Sequence, residues 1–177
     1  MSRPSWLHKF YWTRFAKPVE DRQLFKQLLA APVSSILEIG VGDGARMRRL
    51  AKLVQLPAGC DTLRYIGTDE FESAKDGRPH LSLKQAHQLA SQLGFRASLI
   101  PGDVNAAIPR VAHKFGAADL IIIDGGLIPQ QPLATTLGSW LNRLAHSESS
   151  VLACQERGGT LEAVDLRLLD LPSRNVA

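Results

Sequence analysis

Cysteine is nearly absent from this chain. Cys60 and Cys154 are the only two in 177 residues, too few and too far apart for a disulfide framework or a four-ligand metal site, so both are read as free thiols. Long apolar runs are missing as well, since no segment approaches the roughly 18 residues that a membrane span needs. The opening residues lack the charged, apolar and small-residue order of a secretory signal. A cytoplasmic protein without a membrane span is therefore expected. The string GxxxxGK followed by Ser or Thr does not occur, which removes the usual nucleoside-triphosphate reading. No internal repeat or low-complexity segment is present. Apolar residues at 45% and charged residues at 21% are ordinary for a globular protein, which excludes disorder and fibrous architecture. The length fits one domain.

What is present begins with charge. A balance of 21 Lys and Arg against 17 Asp and Glu gives a formal +4, which permits an acidic partner without requiring one. Its distribution is uneven, because Arg3, Lys9, Arg14 and Lys17 all precede the first acid, Glu20. The same stretch holds Trp6, Phe10, Tyr11, Trp12 and Phe15, with Trp6 and Phe10, and Tyr11 and Phe15, at helical i,i+4 spacing. Such a segment suits a lid packed over a ligand pocket, or a surface that stacks bases and tracks phosphates.

Hydrophobic periodicity then orders the chain. Residues 19–31 place Val19, Leu24, Phe25, Leu28 and Leu29 near helical spacing and stop at Pro32. SSILEIG is a short apolar run ending at glycine, and GARMRRLAKLVQL repeats Met47, Leu50, Ala51 and Val54 on one helical face. LRYIGTD (63–69) reads as a strand, and 82–94 as a helix with Ser82 and Gln85 at capping-box spacing and Gly94 at the stop. RASLIPGD is a third strand, followed by a helix over NAAIPRVAHKF with Pro109 in its first turn. Leu120 to Ile123 is an unbroken apolar run, as in a strand covered on both faces. PLATTLGSWLNRLAH gives another helix and SSVLACQE a fifth strand. Only ERGGT separates that strand from TLEAVDLRLLDL, too little for a crossover helix, so an antiparallel partner is expected.

This alternation predicts a Rossmann-like three-layer α/β/α sandwich of five mainly parallel strands plus a C-terminal antiparallel hairpin strand. The chain is divided as one domain, with an N-terminal extension over 1–31, a core over 33–155 and the edge strand over 160–171. Ligands of such sheets bind beyond the carboxyl ends of the strands, where strand order reverses.

The turn after the first strand reads Glu38-Ile39-Gly40-Val41-Gly42-Asp43-Gly44-Ala45. Glycines at a strand-to-helix turn bring main-chain N–H groups close to a ligand and let the helix pack near the strand. The string satisfies GxGxx followed by Gly or Ala, so a dinucleotide site stays open. Yet the pyrophosphate of NAD is dianionic, and Glu38 and Asp43 would repel it, whereas a cofactor with a cationic centre and no phosphate would tolerate them.

Here the residues resemble the class I S-adenosylmethionine-dependent methyltransferases, whose first motif is ExGxGxG. The resemblance covers about residues 33–155. It implies S-adenosylmethionine as cofactor, held by Glu38, Gly40, Gly42 and Gly44. It also implies Asp69 on the ribose hydroxyls, with Glu70 the second candidate, and Asp103 near the adenine amine with Val104 stacking. Asp124, after the fourth strand, would face the reacting centre as a base or an orienting group, or else serve as a helix cap.

The departures narrow the chemistry. The Asp/Asn-Pro-Pro-Tyr/Phe string of nucleobase amino-methyltransferases is replaced by Asp124-Gly125-Gly126-Leu127. The Asp-Asn pair of metal-dependent O-methyltransferases is replaced by Cys154-Gln155-Glu156, so no metal is expected. Of the histidines, His80 lies in a loop on the ligand-bearing edge, where it and Arg78 could reach a substrate, while His87, His113 and His146 read as surface or capping residues. The acceptor, small molecule or nucleic acid, stays unnamed. A second reading is a non-catalytic scaffold or nucleic-acid-binding module that keeps the fold, and a third is an NAD-dependent oxidoreductase. An open hairpin edge would also suit a homodimer paired through the C-terminal strand.

Overall fold

The computed structural model describes residues 18–124, 136–156 and 158–165. The aromatic-basic opening segment, the residues directly after Asp124 and the end of the expected hairpin strand lie outside them. The strands are β1 (Ser35–Ile39), β2 (Arg64–Asp69), β3 (Arg96–Pro101), β4 (Leu120–Ile123), β5 (Ser150–Ala153) and β6 (Glu162–Ala163). The helices are α1 (Arg22–Ala30), α2 (Ala45–Leu53), α3 (Leu83–Gln92), α4 (Val104–Phe115) and α5 (Thr136–Leu144). The strands form one sheet in the order β3-β2-β1-β4-β5-β6. Neighbours among β1 to β5 pair in parallel, and β6 pairs antiparallel to β5 through Leu152 with Ala163 and Ala153 with Glu162. This is the expected Rossmann-like sheet with its antiparallel end.

Strand alternation sorts the core into two layers. Ile36, Leu120, Ile122 and Leu152 face a cluster containing Leu24, Phe25 and Leu28 of α1, Met47 and Leu50 of α2, and Ala86 and Leu89 of α3. Leu37, Ile39, Ile121, Ile123 and Val151 face the other way, onto Ile108 and Val111 of α4 and Leu144 of α5. All four β4 residues are fully buried, as their unbroken apolar run predicts, and each such side chain contributes roughly 1.5–3 kcal/mol.

Helix ends follow their local chemistry. Ser82 Oγ accepts from Gln85 N at 3.2 Å while Gln85 Oε1 accepts from Ser82 N at 2.9 Å, which completes the capping box at α3. The Asp103 side chain accepts from Ala106 N at 3.1 Å and starts α4 at Val104. That start is one residue earlier than expected, so Pro109 falls in the second turn, where its missing N–H forgoes a helical hydrogen bond. At α1 a 3-10 turn (Val19–Asp21) precedes the helix. Asp21 makes no side-chain cap there, because its carboxylate pairs with Arg46 at 3.3 Å and Arg49 at 2.6 Å. α2 stops at Leu53, short of the expected 56, where Val54 turns extended.

At the amino ends of the strands Asp119 ties three segments together. Its Oδ2 accepts from Ser34 N at 2.7 Å, Ser34 Oγ at 2.6 Å and Ser35 N at 3.0 Å, and its Oδ1 meets His146 Nε2 at 3.1 Å. His146 is thus a buried structural residue, with Glu148 N donating to its Nδ1 at 3.2 Å. Among the described residues, no helix is long and apolar enough to cross a membrane.

Candidate functional site

β1 has β2 on one side and β4 on the other, so the chain reverses its lateral direction at β1 and a crevice opens beyond the carboxyl ends of these strands. The glycine turn rims it. A Cβ on Gly44, at φ +73°, would come within 2.6 Å of Leu89 Cδ2 and 2.7 Å of Leu81 Cδ1, so this glycine lets α3 and its preceding loop close over the turn. A Cβ on Gly40 would stand 3.0 Å from Asp124 Cβ, which lets β4 approach, whereas one on Gly42 would meet nothing within 4 Å and faces open space.

Two adjoining cavities share Gly40 and Asp69. One, of about 260 Å³, lies between Thr68-Asp69-Glu70 and Gly102 to Asn105. The other, of about 180 Å³, lies between the glycine turn, the loop residues Arg78 to His80, Asp124 and Gly158. Together they fall within the usual range for small-molecule sites, roughly 300–1,000 Å³. Asp69, Asp103 and Val104 thus line one crevice with the glycines.

The carboxyl groups are not equivalent within it. Asp69 is buried, and its oxygens are occupied internally: Oδ2 accepts from Gly42 N at 2.8 Å, while Oδ1 accepts from Phe71 N at 2.8 Å and meets His80 Nδ1 at 2.9 Å. Glu70, one residue further, is half-buried and lines the larger cavity. The turn that presents it is held at Phe71, the only described non-glycine residue at positive φ (+50°) and a buried one, a conformation that costs roughly 1–2 kcal/mol.

Glu38 lies wholly inside. Its Oε2 accepts from Tyr65 Oη at 2.6 Å, and its Oε1 from Arg46 Nη1 at 3.3 Å. Burial pushes its pKa up to about 7, against the opposing pull of Arg46 and Tyr65 and with a further push from Asp124. Burial and the facing Glu38 carboxylate likewise hold the Tyr65 phenol well above its ordinary range. Arg46 sits among Asp21, Glu38 and Asp124, each at 3.3 Å. Burial opposes its charge, but the carboxylates outweigh burial and hold it more firmly protonated than a free arginine.

Asp124 closes this network toward the cleft. Its Oδ2 pairs with Arg46, and its Oδ1 accepts from Gly158 N at 2.8 Å and from Cys154 Sγ at 3.2 Å. These bonds lock the ends of β4 and β5 together and occupy both oxygens of the carboxyl group. The loop between β2 and α3 is clamped to the glycine turn by Leu81 N donating to Gly42 O at 2.9 Å and by His80, whose Nε2 meets Asp76 Oδ1 at 2.9 Å. The His80 side chain therefore sits between two carboxylates, and with Arg78 it lines the smaller cavity, on the ligand-bearing edge where the sequence places its loop. Among the described residues, no group of three or more His, Cys, Asp or Glu could hold a metal ion.

Sequence reasoning missed Arg46 and Tyr65. Arg46 sits in RMRR, a string that resembles a solvated face, and its inward position is set by the helix phase: Met47 and Leu50 are buried beside it. With Arg46 between Glu38 and Asp124, part of the negative charge read from the motif is neutralised internally.

No protein-family model and no curated protein matches the sequence. Solved structures do match the fold. A methyltransferase from Geobacter sulfurreducens aligns with a TM-score of 0.52 at 16% identity over 75% of this chain and 57% of its own. The O-methyltransferase TomG from Streptomyces achromogenes, involved in tomaymycin synthesis and solved with S-adenosylmethionine, aligns at 0.53 and 18% identity over 74% of this chain and 52% of its own. An S-adenosylmethionine-dependent methyltransferase from Geobacter sulfurreducens, solved with S-adenosylhomocysteine, gives 0.50 and 20% over 82% and 53%. The chain shares their fold and spans a little over half of their length.

Proposed function

We propose that the chain is a methyltransferase domain that binds S-adenosylmethionine in the crevice at the β1 switch point and transfers its methyl group to an acceptor beside Asp124. The observation that carries this reading is the joining of two cavities across Gly40 and Asp69, on a fold shared with enzymes solved with that cofactor or its product. The donor set fits. Half-buried Glu70 can accept from ribose hydroxyls, and Asp69 positions the glycine turn by holding Gly42 N. Asp103 and Val104 wall the adenine end, with Val104 offering an apolar face. Glu38 acts from below, through Arg46 and Tyr65.

When bound, the cofactor supplies an activated methyl group on sulfur, so the protein's work is alignment and exclusion of water. Asp124, held by three donors, orients the acceptor and stabilises positive charge nearby; an acceptor that is already a good nucleophile suits it best. The same proposal treats the chain as one domain, which the two apolar clusters on one sheet support, and sets it in the cytoplasm, which two free thiols suit. Pairing of two copies along β6, a sheet edge, belongs to it as well. Two substitutions test the site: Val104→Arg should abolish binding of S-adenosylhomocysteine in a folded protein, and Glu70→Ala should weaken it at least tenfold. Parental affinity in both variants would remove the reading.

A further inference from the structure

The charges beneath the glycine turn do not balance. Among the described residues, Arg46 meets Asp21, Glu38 and Asp124, and Arg49 meets Asp21 again, so one connected cluster holds three acids and two bases. Asp21, Glu38 and Arg46 are buried, and the Asp124 side chain, 17% exposed, reaches the wall of the smaller cavity. Tyr65 of β2 adds a phenol donor to Glu38, and Cys154 at the end of β5 a thiol donor to Asp124. The buried residues of α1 and α3, which pack over the same side of the sheet, are all apolar and supply no further charge.

An uncompensated charge in such surroundings is costly, and the cluster becomes neutral when one acid keeps its proton. Asp21 has two guanidinium partners and Asp124 reaches solvent, whereas Glu38 is wholly buried and shares Arg46 with both of them. The proton therefore belongs on Glu38, in keeping with a pKa that burial raises to about 7. Glu38 also stands two residues before Gly40, about 7 Å of extended chain from a residue that lines both cavities.

We propose that Glu38 is a specificity-determining residue whose proton sets how strongly the crevice prefers the sulfonium of S-adenosylmethionine over the neutral thioether of S-adenosylhomocysteine. The inference rests on the reading of the crevice as the cofactor site. With Glu38 protonated the cluster is neutral and does not distinguish the two ligands by charge. With Glu38 ionised the cluster carries one net negative charge and favours the cation. Arg46 passes the change to the cavity wall, because its Nη1 lies 3.3 Å from both Glu38 Oε1 and Asp124 Oδ2. A guanidinium drawn to an ionised Glu38 leaves the charge of Asp124 less compensated. At an effective dielectric of about 20, a unit charge roughly 10 Å away changes the affinity for a cation by about tenfold. By reciprocity, binding of the sulfonium drives the proton off Glu38 and binding of the thioether does not.

Calorimetry of the full chain with S-adenosylmethionine and S-adenosylhomocysteine at pH 6, 7 and 8 tests this on the parent, Glu38→Gln and Tyr65→Phe. The readout is the ratio of the two dissociation constants. The α-amino group of the ligands titrates near this range, and Asp43, Asp69, Glu70, Arg78 and His80 also surround the crevice. All of these are common to parent and variant and cancel in the comparison. Relative to Glu38→Gln, the parent's preference for S-adenosylmethionine should rise at least threefold from pH 6 to pH 8. Tyr65→Phe deletes a donor that favours the ionised form of Glu38, so its rise should come at higher pH. This variant decides the matter if circular dichroism shows Glu38→Gln unfolded. A preference that changes equally with pH in the parent and Glu38→Gln, or failing that variant a Tyr65→Phe profile that superposes on the parent's, would overturn the proposal. Binding of neither ligand at millimolar concentration would overturn the reading of the crevice, and this inference with it.

Discussion

Glu38 makes the stability of this fold depend on pH in a direction opposite to that of most carboxylates. Its pKa rises from an ordinary 4.5 in the unfolded chain to about 7 in the folded one. Between those values the folded state holds a proton that the unfolded state lacks, so stability falls as pH rises through the window and levels off above it. A shift of this size corresponds to about 2–3 kcal/mol between pH 5 and pH 8. Because the group is fully buried, solvent screening does not reduce the effect. Glu38→Gln preserves the shape and a hydrogen-bonding oxygen but cannot titrate. Urea unfolding followed by circular dichroism at pH 5, 6, 7 and 8 reads the difference between parent and variant, which cancels all other titrating groups. The parent's advantage over the variant should shrink by about 2–3 kcal/mol from pH 5 to pH 8. A pH-independent difference, or one that grows with pH, would refute the burial-driven shift.

Arg46→Met removes the cation from three carboxylates and should destabilise the chain by about 3–5 kcal/mol at pH 8 in the same unfolding assay; a loss below about 1 kcal/mol would mean the network is not coupled. Asp119→Ala orphans the N–H groups of Ser34 and Ser35 at the far edge of the sheet, and should cost about 2–4 kcal/mol while leaving S-adenosylhomocysteine affinity unchanged by calorimetry. His80→Ala releases the clamp between Asp76 and Asp69 and should weaken that affinity roughly tenfold with a smaller effect on stability, judged by comparing calorimetry with thermal melting.

What could be seen in the sequence was local. The apolar run of β4, the Ser82 and Gln85 capping box and the glycine turn each depend on neighbours in the chain, and each matches the structure. The acids at the strand ends were visible for the same reason. Their partners were not, because parallel pairing of β1 with β4, with Ile39 opposite Ile123, is what brings Glu38 and Asp124 to one arginine. Asp69 reads as a ligand-facing acid from its place after β2; it lines the crevice beside Glu70, and what the sequence does not show is that its oxygens also meet Gly42 N, Phe71 N and His80 Nδ1.

The most direct test of the account is isothermal titration calorimetry of the full chain with S-adenosylhomocysteine and with NAD, side by side at pH 7.5. The account predicts saturable binding of S-adenosylhomocysteine at micromolar concentration and none of NAD. A folded protein that takes up NAD in preference, or neither ligand at millimolar concentration, would contradict it.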